Sequence, residues 1–316
     1  MHMLRRDGSG GGVKVALVIL AVVVAAGVAL AVAVLSERQS AQAQEASTGG
    51  AGYQVTDLGT LPGGAYSRAL GINSRGQVVG YNATASGEFR AFLWEDGKMR
   101  NLGTLPGGGF SEASAINNRG QVVGYNYSTA SEEGHAVLWE KDKMTDLGTL
   151  PGGSRSEARG INNRGQVVGH SDTASGLTHA FLWEKGKMTD LGTLGGYHSE
   201  ARSINSRGQV VGYGNTASGL THAFLWEDGE MTDLGTLPGG DYSQARGINS
   251  RGQVVGYSDT ASEEGRAFLW EDGEMRNLGT LPGGDYSQAS AINNRGQVAG
   301  SSNSASVLGN AVLWSK

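Results

Sequence analysis

The chain begins with a stretch that has no alternation of apolar and polar positions. From Val15 to Leu35, 21 consecutive residues are apolar, and Arg5, Arg6 and Lys14 precede them. As a helix this run spans about 31 Å, which matches a bilayer core of ~30 Å. From residue 53 onward the pattern is different. Short apolar runs rich in Val, Phe and Trp are cut by Gly, Asn, Asp and Pro. Runs of β-forming residues bounded by turn residues every ~8–12 positions predict strands. No segment outside 15–35 has helical periodicity.

The strand pattern repeats. Trp94, Trp139, Trp183, Trp226, Trp270 and Trp314 are spaced by 45, 44, 43, 44 and 44 residues. Ile-Asn recurs at Ile72, Ile116, Ile161, Ile204, Ile248 and Ile292, and Leu-Gly-Thr-Leu at Leu58, Leu102, Leu147, Leu191, Leu234 and Leu278. Each copy predicts four strands. The first is a Ser-x-Ala-x-x-Ile run such as Ser156 to Ile161. An Asn-x-Arg-Gly turn follows, with Gly where positive φ is needed. The second strand is Gln253 to Tyr257 in the fifth copy, and the third is His222 to Trp226 in the fourth. After a Glu-Asp-Gly turn the fourth strand runs through Met231 to Leu234, and a Thr-Leu-Pro-Gly-Gly corner leads to the next copy.

Four strands in about 44 residues, six times over, predict an all-β fold. The reading is a six-bladed β-propeller of four-stranded blades, preceded by an N-terminal transmembrane or signal helix. An open β-solenoid is the alternative. The ends favour the ring. Tyr53 to Leu58 reads as an isolated fourth strand, and the last copy stops at its third strand, Ala311 to Trp314. The N-terminal strand is therefore expected to complete the sixth blade and remove an exposed edge. Small residues in the first strand, such as Ala158 and Gly160, suit strands crowded around an axis. The Trp side chains are expected in the core, each hiding roughly 150–250 Å².

This gives four segments: 1–14, a cytoplasmic basic segment; 15–35, a transmembrane helix or signal core; 36–52, a flexible tether; and 53–316, the propeller. The basic flank is expected to stay in the cytoplasm, so the propeller faces the extracellular side, anchored or secreted. Ala41-Gln42-Ala43 offers a cleavage site for the secreted form.

Composition narrows the chemistry. Of 316 residues 53 are glycine, more than twice the ordinary share of ~7%. Without the period this would suggest disorder; with it, the glycines mark turns and close approaches. There is no cysteine, which excludes disulfides, thiolate metal sites and thiol catalysis. The net charge is −5, and the two acids and four bases of residues 1–43 leave the remainder more acidic still. That argues against nucleic acid as a partner, and it confines membrane contact to residues 15–35.

The strand-three text His-Ala-Phe-Leu-Trp at His179–Trp183 and His222–Trp226, together with Leu-Gly-Thr-Leu-Pro-Gly-Gly and Ile-Asn-x-Arg-Gly-Gln-Val-Val-Gly, resembles the HAF family of extracellular repeats. The match covers residues 53–316. The resemblance implies an exported bacterial-type β-repeat protein and supplies no catalytic residues. The glycine-pair corners resemble kelch-type blades more weakly.

Candidate chemistry is sparse. His135, His179 and His222 occupy equivalent positions in different copies, too far apart to share a metal. Arg90, Arg266 and Asn310 replace them elsewhere, so packing with a polar tip is the expected role. Asp57, Asp146, Asp190 and Asp233 alternate with Asn101 and Asn277, which fits a hydrogen-bonding role at a strand end. No Asp-x-Asp-x-Asp-Gly loop or phosphate-binding loop is present, and no cofactor or metal is expected. No Ser/His/Asp set and no carboxylate pair stands apart from the repeat. Variation concentrates after the corners, at Tyr66, Phe110, Arg155, Tyr197, His198, Tyr242 and Tyr286. On one face these could stack on sugars or grip a peptide, or they could simply cover the corner glycines. The expected function is a surface binding module for an extracellular glycan or surface protein. An extracellular polysaccharide hydrolase or lyase, or a structural envelope protein, are the alternatives.

Overall fold

The computed structural model describes residues 55–315, apart from 86, 129–131 and 263. The expected helix at 15–35 and the tether lie outside the described residues, as do the first two residues of the expected closing strand. The blades belong to one compact unit that begins at Gly59.

Among the described residues the chain forms six antiparallel sheets, the blades of a six-bladed β-propeller. Blade three shows the plan. Its inner strand is Ser156–Ile161, followed outward by Val167–Asp172, Thr178–Glu184 and Lys187–Asp190. Strands follow one another in chain order from axis to rim, so only hairpin turns connect them. The outer turn takes two residues with positive φ, Lys185 and Gly186 here and Asp228 and Gly229 in blade four. Such turns match the right-handed twist of the flanking strands.

The Asn-x-Arg-Gly turn is held by its asparagine. Asn162 Oδ1 accepts the N–H groups of Arg164 and Gln166 at 3.0 and 3.1 Å. Its Nδ2 donates to Gln166 Oε1 at 2.6 Å and to the carbonyl of Asn205, in the next blade, at 3.0 Å. The same bond to the next blade runs from Asn73 to Asn117, Asn117 to Asn162, Asn205 to Asn249 and Asn249 to Asn293. The asparagine thus shapes its own turn and fixes the spacing to its neighbour. The arginine of the turn contributes less: Arg207 donates to Gln209 Oε1 at 2.6 Å.

Each hydrophobic cluster is shared by two consecutive blades. Val79, Ala91 and Leu93 of blade one pack with Ala113, Ile116 and Val137 of blade two, and four analogous clusters join the later blades. Phe92, Phe181, Phe224 and Phe268 are the largest fully buried side chains. Trp139 is buried and donates its indole N–H to Leu102 O of the preceding blade at 3.0 Å. Trp183, Trp226, Trp270 and Trp314 pack half-buried at the cluster edges. In blades one, three, four and five the Phe two residues before the Trp therefore fills the blade interface, and in blades three to five the Trp packs at its edge.

The first and last blades differ from the others. The inner strands of successive blades contact each other from Gly64–Ile72 through Ser287–Ile292, but no comparable junction joins the last of these to the first among the described residues. Ile72 is 68% exposed where Ile116 is 9%, and Leu313 is 63% exposed where Leu138 is 7%. The sixth sheet has three strands ending with Val307–Trp314, and residues 55–58, expected as its fourth, carry no strand. The edge of that last strand is thus left without a partner strand in the described chain.

Candidate functional site

The inner strands carry one irregularity that decides what faces the axis. In blade three Gly160 pairs with Val168 and Ala158 with Gly169, which leaves Arg159 unpaired in a β-bulge. The same register shift occurs at the equivalent place in the other five blades. A bulge bends the strand and re-aims the extra side chain. It also presses the inner strand onto its neighbour: a Cβ on Gly169 would lie 1.9 Å from the carbonyl oxygen of Glu157. That is why strand two needs glycine there.

The residues freed by the bulge converge. Leu70, Ser114, Arg159, Arg202 and Arg246, from five successive blades, line one cavity of about 370 Å³ together with Glu112 and Gln244. Inner strands come close enough for this because small residues face one another; a Cβ on Gly160 would meet Ser203 Cα at 3.5 Å.

Two of the cavity's arginines are paired along their own strands. Arg159 pairs with Glu157 and Arg202 with Glu200, each at 2.9 Å along its own strand. Burial pushes the Glu157 and Glu112 carboxyls above the usual range, against the pull of Arg159 on both. Burial would also raise Glu200, but the His198 hydrogen bond, His170 and Arg202 outweigh it and hold this carboxyl at about 2. Burial lifts the neighbouring Tyr213 hydroxyl to about 12.

A second pocket, of about 230 Å³, opens at the corner-loop end of blades two to four and is lined by Tyr125, Arg155, Glu157, His170, His198 and Glu200 among others. His170 lies between two carboxylates, with Nε2 3.6 Å from Glu157 and Nδ1 3.9 Å from Glu200. Burial drives its pKa down to about 4, so the ring is neutral at pH 7 and Nδ1 has no hydrogen-bond partner among the described residues. This grouping breaks the repeat. His170 replaces the tyrosine within strand two of blades one, two, four and five, and His198 follows the one corner that lacks proline.

The sequence-expected residues fall into three groups. Tyr66 and Phe110 belong to a row of rings that runs Tyr66, Tyr81, Phe89, Phe110, Tyr125, with centroid separations of 6.2, 5.2, 5.1 and 5.9 Å. Tyr242 and Tyr286 flank Tyr257 at 5.8 and 5.7 Å in a second row. Arg155 and His198 line the polar pocket, where Arg155 reaches Asp172 at 3.3 Å and His198 packs on Tyr213 at 5.9 Å. Tyr197 joins neither row among the described residues and is 60% exposed. Tyr66, Phe110, His198, Tyr242 and Tyr286 each pack against a ring of a second strand. Sequence reasoning missed Tyr81, Phe89, Tyr125, Tyr257, His170 and the inner-strand charges. The available signal was the variation at one repeat position, which reads Arg68, Glu112, Glu157, Glu200, Gln244 and Gln288.

Histidines 135, 179 and 222 have a definite role. Each Nδ1 meets the aspartate eleven residues on, Asp146, Asp190 or Asp233, at 2.8 Å. These aspartates also accept the N–H of Gly148, Gly192 and Gly235 at the start of the corner. Where the histidine is Arg90 or Arg266, the aspartate is Asn101 or Asn277. Among the described residues no group of three or more His, Asp and Glu side chains is arranged to hold a metal.

No family model and no curated protein matches the chain. Solved structures share its fold at a distance. TolB from Acinetobacter baumannii is 12% identical, with a TM-score of 0.49 over 71% of this chain and 56% of that one. A variant of Aleuria aurantia lectin in complex with Fucα1-6GlcNAc is 12% identical, with a TM-score of 0.39 over 81% and 93%. The β-propeller domain of the Trilobed protease from Pyrococcus furiosus, described as having an open velcro topology, is 10% identical, with a TM-score of 0.37 over 79% and 94%.

Proposed function

We propose that the propeller is a binding module displayed on the extracellular side, secreted or held by residues 15–35, and that its ligand is a saccharide taken up on the corner-loop face. One observation carries this reading. Tyr125 ends the first aromatic row and also lines the polar pocket. An aromatic platform thus runs into a pocket of carboxylate, imidazole and guanidinium groups. Sugars need both: apolar C–H faces stack on rings, and hydroxyl groups take directed hydrogen bonds. The rows and the pocket also follow one another around the ring, in blades one to two, two to four, and five to six, so an extended chain has successive contacts.

The test is a glycan array with residues 44–316. Saturable binding should be lost on Tyr66→Ala with Phe110→Ala, and weakened on Tyr242→Ala with Tyr286→Ala, with the melting temperature held. Absence of binding across the array, with surface proteins included as a second panel, would remove the saccharide reading.

A second reading, polysaccharide hydrolysis or elimination, is favoured by the pair Glu157 and Glu200 on either side of His170. Their environments push their pKa values in opposite directions, the pattern that separates an acid from a base. Turnover of an extracellular polysaccharide that stops in Glu157→Gln would support it.

We also infer that residues 53–58 complete the sixth blade, as the repeat arithmetic suggests. The support is the corner that follows them: Ser67 Oγ donates to Gly59 O at 2.7 Å, as Ser156 does to Gly148 at 2.6 Å.

A further inference from the structure

We propose that the axial cavity binds the carboxylate of an acidic sugar, with Arg246 as its anchor. This rests on the saccharide reading and narrows it to uronic acids.

The argument starts from the order of charges on the inner strands. From blade one to blade five they read Arg68, Glu112, Glu157 with Arg159, Glu200 with Arg202, and then Arg246. Arg159 and Arg202 are each ion-paired with the glutamate of their own strand. Glu112, which has Ser114 where the next blades have arginine, lies in the fields of Arg159 and Arg68. Blade five has Gln244 where those blades have glutamate. Arg246 therefore has no ion-pair or hydrogen-bond partner among the described residues, although it is half-buried and lines the cavity. Blade six continues with Gln288 and Ser290 and brings no acid. Arg246 is thus a positive charge on the cavity wall with no acid on its own strand to pair with.

Ser114 Oγ and Arg159 Nε, both on residues lining the same cavity, are buried without hydrogen-bond partners. A guanidinium offers a planar fork that matches a carboxylate with two parallel bonds, and Gln244 can serve the hydroxyl groups of a sugar ring. The cavity volume of about 370 Å³ falls within the range of small-ligand sites.

The experiment is calorimetric titration of residues 44–316 with D-glucuronate, D-glucose and acetate at low salt. Glucuronate should bind more tightly than either glucose or acetate, and more weakly as salt rises. Arg246→Gln should weaken glucuronate about tenfold or more, since a hydrogen-bonded charge is lost, and Arg246→Lys should recover part of that. A melting temperature near that of the native chain shows that Arg246→Gln still folds. Equal affinity for glucose and glucuronate, no glucuronate binding, or unchanged binding in Arg246→Gln would each overturn the proposal. Acetate binding as tightly as glucuronate would overturn the sugar part of it. The array separates this from the broader reading: neutral glycans that bind and respond to the Tyr66 and Phe110 substitutions uphold the corner-loop site whatever the axial cavity does.

Discussion

Ser156 Oγ accepts the backbone N–H of Ala136, in the neighbouring blade, at 2.9 Å. The same hydroxyl donates to the carbonyl of Gly148 at 2.6 Å. One side chain therefore joins the third strand of blade two, the corner after it and the inner strand of blade three. Ser111, Ser199, Ser243 and Ser287 repeat the arrangement with Ala91, Ala180, Ala223 and Ala267. All five are buried.

Ser156→Ala should consequently cost more than the loss of one ordinary hydrogen bond. The Ala136 N–H would stay buried without an acceptor, a penalty of about 1–3 kcal/mol. Urea unfolding checks this: the midpoint should fall while the slope is unchanged. Loss of less than ~0.5 kcal/mol would mean that water replaces the hydroxyl.

Two glycines of one blade should respond to substitution to very different degrees. Gly169 has no room for a Cβ, because the Glu157 carbonyl oxygen would be 1.9 Å away. Gly169→Ala must move the bulge and should destabilise by about 3 kcal/mol or more, or prevent folding. Gly186 has a φ of 83° and open space around its Cα. Its counterpart in blade two is Asp142, at a φ of 64°. Gly186→Asp should therefore cost within about 1 kcal/mol. Thermal melts of the two variants beside the native chain make the comparison.

The fold was legible to the extent that it rests on local pattern. The period of the tryptophans, the Asn-x-Arg-Gly turns and the small residues of the inner strand each state a local requirement. The bulge at Arg159 was not legible, because a register shift exists only relative to the partner strand. The axial cavity was hidden for a related reason: Ser114, Arg159, Arg202 and Arg246 are about a repeat apart in sequence and meet only around the axis. The His–Asp pairs were within reach. The exchange of His135 and Asp146 for Arg90 and Asn101 stands in the sequence, but reading it requires the third and fourth strands to be placed in register. The corner aromatics were found, while the strand-two rings beneath them were counted as strand pattern alone.

The His135–Asp146 pair should give stability a pH window. The hydrogen bond and charge of Asp146 raise the His135 pKa above its ordinary value, against the effect of burial. Burial would raise Asp146, but His135 and the Gly148 N–H outweigh it and lower its pKa. The histidine contribution is complete below pH about 6.5 and is lost as pH rises through the raised folded value. The aspartate contribution is complete above pH about 4 and is lost as pH falls through the lowered folded value. Both side chains are partly exposed, so the effect should stay under ~1 kcal/mol. Unfolding at pH 5.5 and pH 8.5 should show the native chain losing more stability on the alkaline side than His135→Gln does. Equal losses would assign the pair no part in the pH response.

Removal of residues 53–58 should lower stability and promote association together. Gly59 and Leu61 already occupy a formed corner: Leu61 N–H reaches Asn82 Oδ1 at 2.9 Å, as Leu105 N–H reaches Asn126 Oδ1. In other blades the residues just before that corner are the outer strand of the preceding blade. For this corner the preceding blade in the ring is the sixth, whose sheet is one strand short. Ile72 and Leu313 are exposed where their equivalents in internal blades are covered. An open strand edge beside uncovered apolar side chains promotes association between chains. Deletion of 53–58 should therefore lower the melting temperature by several degrees and shift the protein toward aggregates in light scattering, while deletion of 44–52 should do neither. If the two deletions melt alike and stay monomeric, the seam between the first and sixth blades is closed by contacts that do not involve the N-terminal strand.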